Sequence, residues 1–137
     1  MTEEKFDKIK KIINDRFDFK SEKDTLEFSR TSVQFHQLVL DLMVKETLEL
    51  KKLSLKKDEL FSEKFKYYNE DYNRKKLSPK DIGVYISADK DYYKLSYEYE
   101  RVKTIADYLE RTIDNIKRSS FQIKNYIEMK KFMNGVY

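Results

Sequence analysis

The sequence predicts an all-α protein built on a long antiparallel helical hairpin. Three observations predict it. From Ser87 to about Met133, apolar residues recur in alternating steps of four and three: Ala88, Tyr92, Leu95, Tyr99, Val102, Ala106, Leu109, Ile113, Ile116, Ser120, Ile123, Ile127, with Ser120 the single lapse. A 3.5-residue repeat free of Pro and Gly is the pattern of one long helix with a narrow packing seam. A second stretch, residues 25–72, also lacks Pro and Gly and keeps a helical period through Leu26, Val33, Leu40, Met43, Leu50, Leu53, Leu60, Phe61, Phe65, Tyr68 and Tyr72. At 1.5 Å per residue each helix would be ~70 Å long. The third observation is composition: 39% hydrophobic and 39% charged, with only 2 Gly and 1 Pro, which suits long helices better than a loop-rich globule.

In chain order, residues 2–14 predict a short amphipathic helix. Thr2 can cap it, Glu3 and Glu4 suit its positive end, and Phe6, Ile9, Ile12 and Ile13 form one face. Residues 15–24 read as a polar connector, and Asp24 or Thr25 offers the next N-cap. The long helix 25–72 follows, then a tip loop over 73–86 that holds Pro79 and Gly83. The second long helix, 87–133, includes the expected oligomerisation region and stops at Asn134-Gly135. Two equal helices joined by a short Pro/Gly loop form an antiparallel hairpin. The whole, residues 1–137, reads as a single helical domain.

The C-terminal part of the second long helix is apolar on two sides. Ile116, Ile123 and Ile127 cluster on one, and Phe121, Met129 and Phe132 on roughly the other. A helix apolar on both sides is buried on both sides. These six residues are therefore the expected interface of a homo-oligomer. The simpler alternative has the short N-terminal helix folding over the second face.

The net charge of +4 is concentrated in two places. Residues 64–80 hold six basic residues (Lys64, Lys66, Arg74, Lys75, Lys76, Lys80) against two acidic, and residues 115–137 hold five against one. The flanking stretches 1–63 and 81–114 are net −1 and −3. At the tip the cations are interleaved with Phe65, Tyr67, Tyr68 and Tyr72. Cations that follow phosphates, beside rings that stack on bases, are what sequence-tolerant single-strand binding requires. The plainer reading is a solvated helix end whose rings pack on the partner helix. Repeating the tip around a ring of subunits would multiply a weak contact.

Nothing in the sequence points to catalysis, a cofactor or a metal. There is no Cys, no Gly-rich phosphate loop and no metal-ligand spacing. The single His, His36, falls where it can face the helix seam. The N-terminus, Met-Thr-Glu-Glu-Lys-Phe, is charged where a signal peptide needs an apolar core, and no run is long enough to span a membrane, so an intracellular protein is expected.

Two segments resemble one known family. Ile86-Ser87-Ala88-Asp89-Lys90-Asp91, followed by Lys94, is similar to the opening of the C-terminal helix in the UvsY-like recombination mediators of T4-like bacteriophages. Ile116-Lys117, Arg118, Phe121, Ile123-Lys124, Ile127, Met129, Phe132 and Gly135 resemble the same family's ending. The similarity is dense over 85–135 and thin over 25–80. The resemblance implies a non-enzymatic protein that forms a ring-like homo-oligomer, a hexamer or heptamer, through its C-terminal region. It also implies binding of single-stranded DNA, contact with the phage single-strand binding protein, and loading of the phage RecA-like recombinase, in the cytoplasm of the infected host. The family's basic DNA-binding pair lies just before a Tyr-Tyr. Aligned on Tyr67-Tyr68, one member falls on Lys64 and the other on Ser62, leaving Lys66 or the Arg74-Lys75-Lys76 run to supply the second cation. Without the resemblance, the alternative is a coiled-coil adaptor that binds only proteins.

Overall fold

The computed structural model describes residues 1–71 and 77–135. Their elements are α1 (Glu3–Arg16), α2 (Glu22–Lys66), a π-helical turn (Tyr67–Asp71), α3 (Pro79–Ala88) and α4 (Lys90–Met133), with no strand among the described residues. The protein is all-α, and within each of its two compact units the portions of α2 and α4 run antiparallel. The chain divides into two compact units: Met1–Lys45 with Ile105–Tyr137, and Glu46–Thr104.

In the first unit, Thr2 caps α1 by accepting from the Lys5 N–H at 3.2 Å. Ser21, not Asp24 or Thr25, caps α2: its Oγ accepts from the Asp24 N–H at 3.2 Å, while an Asp24 carboxylate oxygen takes the Lys20 N–H at 3.1 Å. This reciprocal arrangement satisfies two backbone donors at once, which starts the helix earlier than either single cap would.

The core of this unit joins Phe28, Phe35 and Val39 of α2 to Ile105, Leu109, Ile113, Ile116 and Ile123 of α4, with Ile13 of α1. The α4 seam is the one its periodicity predicts. The α2 face is so only in part: Leu40 and Met43 pack against this core, but Leu26 and Val33 are 51% and 79% exposed. Phe28 and Phe35 take their place because rings bury more area and find ring partners. Phe17 lies 5.6 Å from each of them and Phe19 lies 5.2 Å from Phe28. His36, expected on that seam, is half-buried. Helix α1 sets Phe6 edge-on to Tyr108 at 5.4 Å. It leaves Phe121, Met129 and Phe132 exposed, so it does not fold over that second face.

Helix α4 ends where Gly135 takes φ 67° and its N–H returns to the Phe132 carbonyl at 3.1 Å. That left-handed conformation suits Gly, which has no Cβ to clash.

In the second unit, the later part of α2 runs against the start of α4. Its buried hydrophobic residues are Leu53, Ile82, Ile86 and Val102. Phe61 meets Tyr92 edge-on at 6.1 Å, and the Lys57 ammonium lies 4.5 Å from the Tyr99 ring centre. A helix, α3, occupies much of the segment expected to be loop. Ser78 caps it by accepting from the Asp81 N–H at 3.3 Å, and Pro79 sits at its first position, where a missing N–H costs nothing. Gly83 inside it costs only about 1 kcal/mol relative to Ala, and the burial of Ile82 and Ile86 offsets that.

Candidate nucleic-acid interface

The last turn of α2, the π-helical turn, α3 and the first turn of α4 come together in the second unit. A π-helical turn is an uncommon local structure that recurs at functional sites. Here it carries Tyr67 and Tyr68. Tyr67 is 44% exposed and lies edge-on to Tyr68 at 5.0 Å. Tyr68 is half-buried, stacks on Tyr85 of α3 at 5.7 Å and 27°, and donates its hydroxyl to Asp89 Oδ2 at 2.9 Å. Burial first, and then the Asp89 carboxylate, push the Tyr68 phenol above its ordinary value.

Asp89 is the hub. It sits between α3 and α4 with extended backbone, φ −65° and ψ 133°. Its Oδ1 accepts the N–H groups of Asp91 at 3.0 Å and Tyr92 at 3.3 Å, which makes it the N-cap of α4. Its Oδ2 faces Tyr68 and the Lys64 ammonium, the latter at 3.3 Å. Burial raises the Asp89 carboxyl's pKa, but the hydrogen bonds from Tyr68, the Tyr92 N–H, Lys64 and the Asp91 N–H outweigh it and hold it below its ordinary value.

Lys64, the first cation predicted for the tip, thus enters an ion-pair network. Besides Asp89 it donates to Asp91 Oδ2 at 3.1 Å, and its side chain is 22% exposed. These carboxylates, Asp91 foremost, raise its pKa. The ammonium also lies 6.0 Å from the Tyr67 ring centre. Lys66 and Lys80 are exposed and form no ion pair among the described residues. Tyr72, Arg74, Lys75 and Lys76 lie outside the described residues. The structure therefore brings Lys64, Tyr67 and Tyr68 together and leaves Lys66 open to solvent. It ties Tyr68 into the fold instead of presenting it as a free ring.

Asp89, Asp91 and Tyr85 were not among the tip residues expected from sequence. A signal for Asp89 was present, because an Asp directly before an apolar-periodic run is a helix-start signature. No sequence rule foretold that the capping carboxylate would also hold Lys64.

In the first unit, the six residues expected at an oligomer interface separate into two sets. Ile116 and Ile123, 2% and 6% exposed, lie in the chain's own core, and Ile127 packs against it. Within the chain, the seam with α2 thus covers three of the six. Phe121, Met129 and Phe132 remain 66%, 58% and 67% exposed.

No helix among the described residues is long and apolar enough to cross a membrane. No curated protein sequence matches the chain. The chain is similar in structure to the bacteriophage T4 recombination mediator protein UvsY, with a TM-score of 0.80 and 18% identity over 93% of this chain and 98% of that one. A family model described as "Recombination, repair and ssDNA binding protein UvsY" matches residues 18–136. With the match running from the connector before α2 to the stop after α4, this chain belongs to the UvsY family of recombination, repair and single-strand DNA-binding proteins.

Proposed function

We propose that this chain is a recombination mediator that holds single-stranded DNA on the Lys64–Lys66–Tyr67 surface and loads a RecA-like recombinase onto strands covered by single-strand binding protein. It acts without catalysis and as a ring-like homo-oligomer in the infected host's cytoplasm. The observation that carries the reading is the Lys64 ammonium beside the exposed Tyr67 ring, with Lys66 exposed at the same end of α2, in a chain of this family. Lysines supply counterion release along the phosphates and the ring supplies a stacking face. Arg74, Lys75, Lys76 and Lys80, with Tyr72, continue the same basic and aromatic composition along the chain.

The mechanism is multivalent. One tip binds weakly, but several tips on one ring raise the effective concentration of each for the strand. They impose a path on the backbone that disfavours the resident single-strand binding protein and favours recombinase nucleation.

The test is the triple variant Lys64→Ala, Lys66→Ala and Arg74→Ala, measured on a poly-dT oligonucleotide across a salt series. A clear loss of affinity with a shallower salt slope supports the reading, and an unchanged affinity and slope remove the tip from the mechanism. The pairing of Lys64 by two carboxylates favours one competing reading, an adaptor that binds only proteins. That reading predicts no dependence of binding on oligonucleotide length at physiological salt.

A further inference from the structure

The Lys64 ammonium lies 6.0 Å from the centre of the exposed Tyr67 ring, yet it already has two anionic partners. The two are not equivalent. Asp89 is built in: its side chain is 11% exposed, one oxygen caps α4 and the other takes the Tyr68 hydroxyl. Asp91 is 69% exposed, and its one side-chain hydrogen bond among the described residues is to Lys64. Asp89 therefore orients the lysine, whereas Asp91 merely occupies it.

A carboxylate and a phosphodiester offer an ammonium the same thing, a charged oxygen at hydrogen-bond distance. An exposed ion pair of this kind contributes little and exchanges readily with another anion.

We propose that Lys64 is a phosphate-binding position held by Asp91 in the free chain, and that a backbone phosphate of the single strand displaces the Asp91 carboxylate on binding. This rests on the reading of the tip as a single-strand surface. Asp89 stays bound throughout and keeps the Lys64 side chain aimed. The exchange replaces one anion by another, so Lys64 contributes less net affinity than a free lysine would. Each tip then holds the strand loosely and lets go of it easily, which suits a protein that must give the strand up.

The experiment is titration of the full chain and its variants with a labelled dT oligonucleotide across a salt series, with Asp91→Asn, Lys64→Ala and the double variant. Asp91→Asn keeps the shape of the side chain at an exposed position, and its helix content and melting curve are checked alongside. The expected result is affinity about two- to fivefold higher than the parent. The salt slope is expected to steepen by about 0.7, the value of one additional phosphate on a single strand. In the Lys64→Ala background the Asp91→Asn gain is expected to vanish. An equal gain in that background would mean that Asp91 acts only through general charge, and the exchange would be overturned. Robust parental binding unchanged by Asp91→Asn overturns the exchange alone. Absence of dT binding by parent and variant at low salt overturns the exchange together with the single-strand reading.

Discussion

The Tyr68 hydroxyl donates to Asp89 Oδ2 at 2.9 Å, while the other oxygen of the same carboxylate receives the N–H groups of Asp91 and Tyr92. One residue thus ends α3 through its backbone N–H on the Ile86 carbonyl, and with its side chain starts α4 and anchors the π-helical turn. Asp89→Ala removes the cap and leaves the half-buried Tyr68 hydroxyl without this acceptor. The cap alone is worth about 1 kcal/mol. Asp89→Asn retains capping ability, since Asn ranks with Asp at this position. Urea unfolding at one fixed protein concentration should therefore rank parent above Asp89→Asn above Asp89→Ala. Equal midpoints for the two variants would deny Asp89 its capping role.

The same network sets a pH dependence. Asp89 is held below its ordinary pKa, the rise from burial being outweighed by the hydrogen bonds from Tyr68, the Tyr92 N–H, Lys64 and the Asp91 N–H. A carboxyl whose folded pKa is depressed binds its proton more readily when unfolded. Its stabilisation is therefore complete above the unfolded value and disappears as pH falls through the folded one. The window lies below about pH 4, where an ordinary Asp titrates. The parent should lose thermal stability through this range more steeply than Asp89→Asn, and parallel profiles would show that Asp89 does not report the network.

The burial pattern of α2 gives a prediction that separates the sequence pattern from the structure. Leu109 is 0% exposed and Phe35 5% exposed within one core, whereas Val33 is 79% exposed. Leu109→Ala or Phe35→Ala should cost about 2–5 kcal/mol, the range for emptying a packed core position. Val33→Ala should change stability by no more than about 0.5 kcal/mol, as surface substitutions do. Comparable losses at Val33 and Phe35 would place the α2 seam where periodicity alone puts it.

The difference between those two faces shows what was legible. On α4 a single series of apolar residues dominates, so the seam through Val102, Leu109, Ile113, Ile116 and Ile123 could be read directly. On α2 two apolar series compete at helical spacing, one aliphatic through Leu26 and Val33 and one aromatic through Phe28 and Phe35. Period cannot choose between them. Contact with Phe17 and Phe19 in the connector decides it, and such contacts are not local in sequence. Helix α3 was missed for a different reason. Pro79 and Gly83 read as breakers in the sequence, but a Pro at the first position after a Ser cap starts a helix. At the tip, the residue types could be read and their pairing could not. That Lys64 carries a charge is evident from sequence, but that Asp89 and Asp91 hold it depends on where α4 begins.

The exposed face of α4 bears on assembly. Phe121 and Phe132 are eleven residues apart, which brings them within about 20° of each other around a helix of 3.6 residues per turn. Met129 lies beside them, and all three are more than half exposed. A cluster of large apolar side chains in contact with water is the usual mark of an interaction surface. Its position opposite the buried Ile116 and Ile123 allows a second copy to cover it without disturbing the chain's own core. Phe121→Asp with Phe132→Asp should therefore reduce the mass seen by light scattering to small species, while helix content stays at the parental level because neither ring supports the core. Retention of the full-size assembly would move the subunit contact elsewhere, and loss of helix together with mass would mean that the face is needed for folding as well as for joining copies.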